Sequence, residues 1–586
     1  MANGLQSILE LTLHIPISYE NRTLSKSIMV DEVNTFEVIV SSLFEGERVL
    51  IVNFYIPNLD RDIDGVFFRG IHYYKKILTP DKRLYIRGKV KIYRGSKQIH
   101  QPQILTERSI DKIEPIYSKS EDIDREMVNM FREMREKIYL YLKHHERLTM
   151  EEKMAIFHLH YPRSIVDTYV DTELLKRVEA INHIEKLSKK RIKFPPIKRL
   201  TGDVEEFIES LPFKLTDDQS RAISEIERDF KSDIATRRLV IGDVGSGKTI
   251  IILACAVMSY PDRSILMAPT SILAVQLYHE AIKFLPKHIK VSLVKQGSGD
   301  EALDADFLIG THALLYKDNL PEAPLIMIDE QHRFGTKQRT MLEKLVSSGE
   351  RRPHFLQFSA TPIPRTQAMM LSKIIDVTLI EQIPFKRDVT TKVIGRRDFG
   401  MLLHKIEEEI SEGHQVLIVY PLVQESSSIP YQSIDEGRVF WESRFENVFV
   451  THGKDREKES VLLKFRDSGD ILIATTVVEV GISLPRLTII VIVGAERLGL
   501  ATLHQLRGRV GRVGLKSFCY LYTNNTDSER LRAFSRTSSG FDIAKLDLKF
   551  RKSGDILDGT IQSGVKFRWL NLVEDEHIIE EAKSRF

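Results

Sequence analysis

Between residues 36 and 104, apolar and polar positions alternate in short runs: Phe36–Val40, Val49–Phe54, Leu84–Ile92 and Gln98–Ile104. Turn residues such as Pro80-Asp81 and Arg94-Gly95-Ser96 separate them. A period of two predicts half-buried strands, and several at close spacing predict a small barrel, with the OB-fold as one candidate. From Asp124 to Lys193 the spacing turns helical and highly charged, punctuated by Pro162, Pro195 and Pro196. After Leu200 short apolar runs alternate with longer helical patterns: Leu239–Ile241, Ile265–Met267, Phe307–Ile309, Leu325–Ile328 and Phe355–Phe358. The pattern restarts at Val416–Tyr420, Val448–Thr451, Ile471–Ala474, Ile489–Val493 and Cys519–Tyr522. That rhythm predicts two consecutive α/β units, each on a parallel sheet. The last stretch predicts helical pieces broken at Gly554, Gly559 and Gly564.

Composition narrows the class. A chain of 586 residues with 42% hydrophobic and 28% charged positions can bury several ordinary cores. Two cysteines, Cys255 and Cys519, cannot build a disulfide framework or a thiolate metal site, which fits a reducing compartment. The start lacks the basic and apolar regions of a signal peptide, and runs such as Ile489–Val493 are too short to span a bilayer. A soluble, intracellular protein with no membrane contact is therefore expected. Lys and Arg (85) nearly balance Asp and Glu (82), so any case for nucleic acid rests on local stretches. One such stretch, Lys186–Arg199, carries seven basic residues and no acid. It reads either as a solvated helix end entering a Pro-Pro linker or as a phosphate-contacting segment.

The sharpest chemical signal is Gly242-Asp-Val-Gly245-Ser-Gly247-Lys248-Thr249, a full phosphate-loop pattern between a strand and the helical run Ile250–Val257. Glycines let backbone N–H groups close around phosphate oxygens; Lys248 would reach the β- and γ-phosphates, and the Thr249 hydroxyl would ligate Mg²⁺. The strand Leu325–Ile328 then runs into Asp329-Glu330, which puts two acids at the carboxyl edge of the same sheet. Asp329 would hold the Mg²⁺ shell and Glu330 would orient the attacking water. The second α/β unit has no such loop but carries Gln505-Leu-Arg-Gly-Arg509-Val-Gly-Arg512. Arg509 and Arg512 could reach across a cleft to the γ-phosphate, so that hydrolysis opens and closes it.

Taken together these residues resemble the superfamily-two helicases. Phe213-Lys-Leu-Thr-Asp-Asp-Gln219 resembles the family's adenine-recognising motif, and Ala268-Pro269-Thr270 and Gly310-Thr311-His312 resemble its strand-contacting motifs. Ser359-Ala-Thr361 resembles the segment that couples the lobes, a role the resemblance extends to His332; Ala474-Thr475 through Glu479-Val-Gly481 resembles a further DNA-contacting motif. Within the superfamily, Asp329–Gly335 and Glu496–Gln505 are similar to the RecG family and to the transcription-repair coupling factors, which move on double-stranded DNA. Gly540–Arg551 and Gly559-Thr-Ile-Gln562-Ser-Gly564 resemble the RecG translocation motif. His14–Arg22, Gly88–Tyr93, His100-Gln-Pro102 and Leu159–Ser164 look like that family's wedge region.

The resemblance implies a multidomain α/β architecture. An OB-fold wedge over residues 1–115 and a helical linker over 116–200 would precede two RecA-like motor domains, 201–378 and 379–525. A small helical translocation region, 526–586, would follow. It implies ATP and Mg²⁺ as cofactors. Gln505 would join Lys248, Asp329, Glu330, Arg509 and Arg512 in catalysis, with Pro269, Thr270, Thr311, Thr475, Tyr93, Arg551 and Gln562 on nucleic acid. The partners implied are branched and double-stranded DNA, with single-strand-binding protein from family likeness alone, in a bacterial, nucleoid-associated setting. No heptad seam asks for a dimer, so a monomer is expected. Two departures stand out: the wedge-like sequence begins within about twenty residues of Met1, where larger relatives carry a preceding helical region, and Arg551-Lys-Ser-Gly554 replaces the family's Arg-Gly-x-Gly. The expected activity is ATP-driven remodelling of branched DNA: regression of stalled replication forks and processing of Holliday junctions and of D- and R-loops. The alternatives are a motor that displaces polymerase or unwinds RNA–DNA hybrids, and a junction clamp whose nucleotide only switches affinity.

Overall fold

A computed structural model describes residues 7–586 except 190, 192, 296, 318, 348, 362, 373, 386, 423–430, 454, 456, 477–483, 512, 513, 559–566 and 573, and without the side chains of 300, 336, 365, 366 and 551–558. Arg512, Glu479, Gly481 and Gln562, and the side chain of Arg551, thus lie outside the described residues. The chain forms two compact units: Met1–His183 with Phe567–Leu570 and Ser584–Phe586, and Ile184–Lys566 with Asn571–Lys583.

In the first unit, strand Val33–Glu45 pairs on one side with Leu50–Ile56 and on the other with Arg83–Tyr93. Arg61–Phe67 and Ser96–His100 complete the circuit, so the sheet closes on itself as an OB-type barrel. Alternation decides what fills it: Phe36, Val38, Val40, Val52, Phe54 and Ile56 are all buried. The helices Glu121–His144 and Met150–His160 lie in the same unit. There Tyr117 stacks on Phe131 (4.6 Å between centroids) and Phe131 on His160 (4.1 Å). The His160 Nε2–H donates to the Thr12 carbonyl at 2.8 Å, because a carbonyl can only accept. Its Nδ1 therefore accepts from the Tyr117 hydroxyl, also at 2.8 Å. Burial of this neutral ring pulls its pKa down to about 4. The returning segment is fixed by Glu179, whose carboxylate accepts from the backbone N–H groups of Arg568, Trp569 and Leu570.

The second unit holds two parallel sheets. The first, of seven strands, runs in the order Val291–Val294, Phe307–Gly310, Ser264–Met267, Leu325–Ile328, His354–Ser359, Arg237–Gly242, Asp376–Ile380. The second, of six, runs Val389–Ile394, Ser517–Tyr522, Leu487–Val493, Gln415–Val419, Ile471–Ala474, Val448–Thr451. Three of these strands escaped the apolar-run reading: Val291–Val294, Asp376–Ile380 and Val389–Ile394. All three are sheet edges with half-buried patterns, so they need no continuous apolar run.

A correction concerns the C-terminal region. Helix Gly540–Asp558 runs straight through Gly554, where a break was expected. A glycine inside a helix costs only about 1 kcal/mol relative to alanine, which nineteen residues of helix can absorb. Phe541, at the start of that helix, packs with Leu239 and Ile241 of strand Arg237–Gly242, next to the edge of the first sheet. Among the described residues no helix is long and apolar enough to cross a membrane.

Candidate nucleotide site and its ties to the second lobe

Strand Arg237–Gly242 is buried from its second residue on and ends at the carboxyl edge of the first sheet. The loop that follows turns through Gly245 and Gly247, both left-handed (φ 78° and 80°), before helix Lys248–Ser259 begins. Every residue of that helix from Ile250 to Ser259 is buried, so the loop is mounted on a rigid stem. A Cβ at Gly247 would come within 2.2 Å of the Gln219 amide nitrogen, and one at Gly245 within 2.1 Å of the Arg387 guanidinium. Glycine is needed there for both backbone angle and space.

Gln219 is held from two sides. Its carbonyl accepts from the Thr216 N–H (2.9 Å) in a capping box that starts helix Asp217–Phe230, and its amide donates to the Ser246 carbonyl at 2.9 Å. Phe213, Gln219, Gly245, Gly247, Lys248, Thr249, Asp329 and Glu330 line one cavity of about 590 Å³, together with Gln276, Phe385 and Arg387. The strand between the loop strand and the acid strand is His354–Ser359, which brings Ser359-Ala-Thr361 alongside both.

The electrostatics are those of a site awaiting a polyanion and a cation. Lys248 donates to the carbonyls of Gly242 (2.8 Å) and Asp243 (3.0 Å). Its pKa is lowered by burial, against the pull of Glu330 and Asp329. Burial, and next the Glu330 carboxylate, push Asp329 up to about 7. Asp329 Oδ1 accepts from the Glu330 N–H at 2.9 Å, and Glu330 sits at φ 48°, a strained conformation for a non-glycine residue. The Ser246 hydroxyl and the Arg387 Nε are buried and hydrogen-bond to nothing among the described residues. A glycine cradle, two cations, two orphaned donors and a carboxylate pair fit a nucleoside triphosphate with a divalent cation.

From Glu330 a chain of contacts leads to the second lobe. Its Oε2 accepts from the Ala360 N–H (3.2 Å) and lies 3.4 Å from His332 Nδ1. His332 Nδ1 lies 3.5 Å from the Thr361 hydroxyl, which accepts from the Gln505 amide at 2.8 Å. One position earlier, His504 reaches the phosphate loop itself. Arg507 can only donate, so the His504 Nδ1 accepts from it at 3.2 Å and Nε2–H donates to Asp243 Oδ1 at 2.5 Å. The other Asp243 oxygen accepts from the Gly540 N–H at 2.8 Å, where the long C-terminal helix begins. Burial alone would raise the Asp243 pKa; the His504 and Gly540 hydrogen bonds outweigh it and hold the carboxyl below its usual range. Gly508 closes the seam, since a Cβ there would meet Val244 at 2.8 Å.

The remaining predicted residues are spread more widely. Thr270 caps helix Ser271–Phe284 and Thr311 caps the turn His312–Tyr316. Pro269 follows Ala268, whose N–H donates to the Gly310 carbonyl (2.8 Å); Thr475 is half-buried just after Ile471–Ala474. Arg509 is buried. Tyr93 ends a barrel strand, 54% exposed, with the Arg94 guanidinium 5.5 Å from its ring centre. The basic stretch leans toward the solvated reading: Lys189, Arg191, Lys198 and Arg199 each pair with an acid. Sequence reasoning passed over Asp243, His504 and Arg387. The first sat inside the phosphate-loop pattern as a variable position, and the second inside the Glu496–Gln505 segment without a role of its own.

Residues 216–370 match the DEAD/DEAH box helicase family and 400–514 the helicase conserved C-terminal domain. An ATP-dependent DNA helicase RecG of Helicobacter pylori is 42% identical, over 100% of this chain and 96% of that protein. The chain belongs to the RecG family of ATP-dependent DNA helicases. A RecG of Thermotoga maritima is 34% identical, over 99% of this chain and 80% of its own length. A solved structure of RecG bound to a three-way DNA junction is similar at a TM-score of 0.57 and 29% identity, covering 98% of this chain and 82% of that one. As a RecG-family enzyme the chain is an ATP-hydrolysing helicase, on tandem RecA-like lobes that follow a wedge barrel.

Proposed function

We propose that this enzyme moves along duplex DNA and drives branched junctions against its barrel, regressing stalled forks and processing Holliday junctions and D- and R-loops in recombination and repair. The observation that carries the reading is the double tie between the nucleotide cavity and the second lobe, Asp243–His504 and Thr361–Gln505. A change at the phosphates cannot occur there without being felt across the cleft. The likeness to a RecG bound to a three-way junction points to the same class of substrate.

Lys248 would hold the β- and γ-phosphates; Thr249 and Asp329 would hold Mg²⁺, whose charge would offset that developing on the transferred group. Glu330, steadied by the Ala360 N–H, would orient the attacking water, with Gln505 reporting from the second lobe and Arg509 and Arg512 countering charge on the γ-phosphate. Gln219 keeps one N–H and one carbonyl lone pair after its two hydrogen bonds, a donor–acceptor pair suited to adenine, while Phe213 offers a face to the base. Grip on DNA would be through phosphates and therefore salt-sensitive, involving Pro269, Thr270, Thr311, Thr475, Arg551 and Gln562. Tyr93 would stack on a base exposed at the junction. The same reading has a monomer acting at the bacterial nucleoid in the cytoplasm, beside single-strand-binding protein.

The test is steady-state ATP hydrolysis on linear duplex, single strands and a three-way junction, with Lys248→Ala alongside. Stimulation greatest with the junction, and absent in the variant, is expected. Equal stimulation by single strands would point to a conventional unwinder, and no turnover on any DNA would leave a junction clamp.

A further inference from the structure

Arg387 has no part in the roles assigned above, yet it lines the nucleotide cavity. It arrives on the segment that joins the two sheets. The start of that segment is fastened to the first lobe: the Asp218 carboxylate accepts from the N–H groups of Glu381 (2.8 Å) and Gln382 (2.9 Å). Its end belongs to the second lobe, where Val389 opens the edge strand opposite Ser517. Arg387 therefore sits where any movement between the lobes is taken up.

Its guanidinium, half-buried with the Phe385 ring centre 5.8 Å away, is poorly partnered for a cation. One nitrogen donates to the Val244 carbonyl at 2.8 Å, while Nε is buried and hydrogen-bonds to nothing among the described residues. Guanidinium carries five donors in a planar fork and stays charged even when burial opposes it, so a neutral carbonyl satisfies little of it. Gly245 lets the fork lie against the loop. Asp243 attracts it, and Lys248 and Arg387 repel each other across the same loop. Two like charges held at the opening residues of a phosphate loop call for an anion between them, and Lys248 marks that end as the β/γ end.

We propose that Arg387 is a further phosphate-binding residue, pairing with the γ-phosphate of ATP and thereby tying nucleotide state to the segment between the lobes. This rests on the nucleotide reading of the cavity. The test measures ADP and AMP-PNP affinity by displacement of a fluorescent ADP from the full chain, in wild type, Arg387→Gln and Arg387→Ala. Glutamine removes the charge and, being two atoms shorter, leaves its amide nitrogen where the arginine has Nε. Both variants should lower the preference for AMP-PNP over ADP by roughly tenfold or more, the loss of a charge-assisted hydrogen bond, with ADP affinity within about threefold of wild type. An unchanged preference in Arg387→Gln, or ADP and AMP-PNP weakened in parallel, overturns the proposal while leaving the cavity reading intact. A wild type that binds neither nucleotide overturns both.

Discussion

The two motor sheets are built alike and used differently. In the first, chemistry gathers at the ends of three neighbouring strands: the loop after Gly242, Ser359–Thr361, and Asp329-Glu330. In the second, one helix after one strand, Leu500–Arg507, delivers His504 and Gln505 to the first lobe, with Gly508 closing behind it. The first sheet is a cradle and the second a lever that ends on it. The proposed reading divides the work: the first lobe would hold the nucleotide, and turnover would need groups that the second lobe supplies.

Breaking the cradle should have the largest effect. Lys248→Ala is expected to lower junction-stimulated ATP hydrolysis by roughly 10²–10³-fold, as read by steady-state turnover. Cutting the tie comes next: Asp243→Ala leaves His504 and the Gly540 N–H buried without their acceptor. That should cost about 2–6 kcal/mol, about 1–3 for each buried donor left without an acceptor, seen as a lower urea midpoint for the full chain. Acid probes what lies beneath. His354, in the first lobe, and His160, in the barrel unit, are both pulled down to about 4 by burial. Their unfolded forms protonate near 6.5 while the folded forms stay neutral, so their stabilisation is whole above pH 6.5 and is lost as pH falls toward and through 4. Each should account for about 3 kcal/mol across that window, and His160→Gln should flatten the profile. Overpacking the seam is smaller: Gly508→Val should cost about 1–3 kcal/mol through the clash with Val244. Smallest is Tyr93→Ala, with stability unchanged within about 0.5 kcal/mol and junction binding weaker by about 1 kcal/mol, measured by fluorescence anisotropy.

What could be read from the sequence was local. The phosphate loop, the acids at the end of Leu325–Ile328 and the Gln505–Arg512 segment announce themselves because each is a short run with its own geometry. The buried strands were legible for the same reason, as was the edge strand Val448–Thr451; the edge strands Val291–Val294, Asp376–Ile380 and Val389–Ile394 were not, since they have no continuous apolar run to show. The ties were invisible in a different way. Asp243 and His504 stand 261 positions apart, and neither carries a signature that names the other. Arg387 lies in a joining segment without periodicity, where an arginine reads as solvated until the fold lays it, half-buried, against Gly245. The basic stretch Lys186–Arg199 is unbalanced only in sequence, because the acids that pair Arg191, Lys198 and Arg199 come from distant parts of the first lobe.

Gln505→Ala tests the division between the lobes most directly, with AMP-PNP affinity and junction-stimulated turnover measured on the same preparation. The account predicts affinity within about threefold of wild type and turnover lower by roughly a hundredfold, because the variant would leave the cradle whole and remove a group proposed to act only in the reaction. A parallel loss of affinity, or turnover left intact, would contradict it.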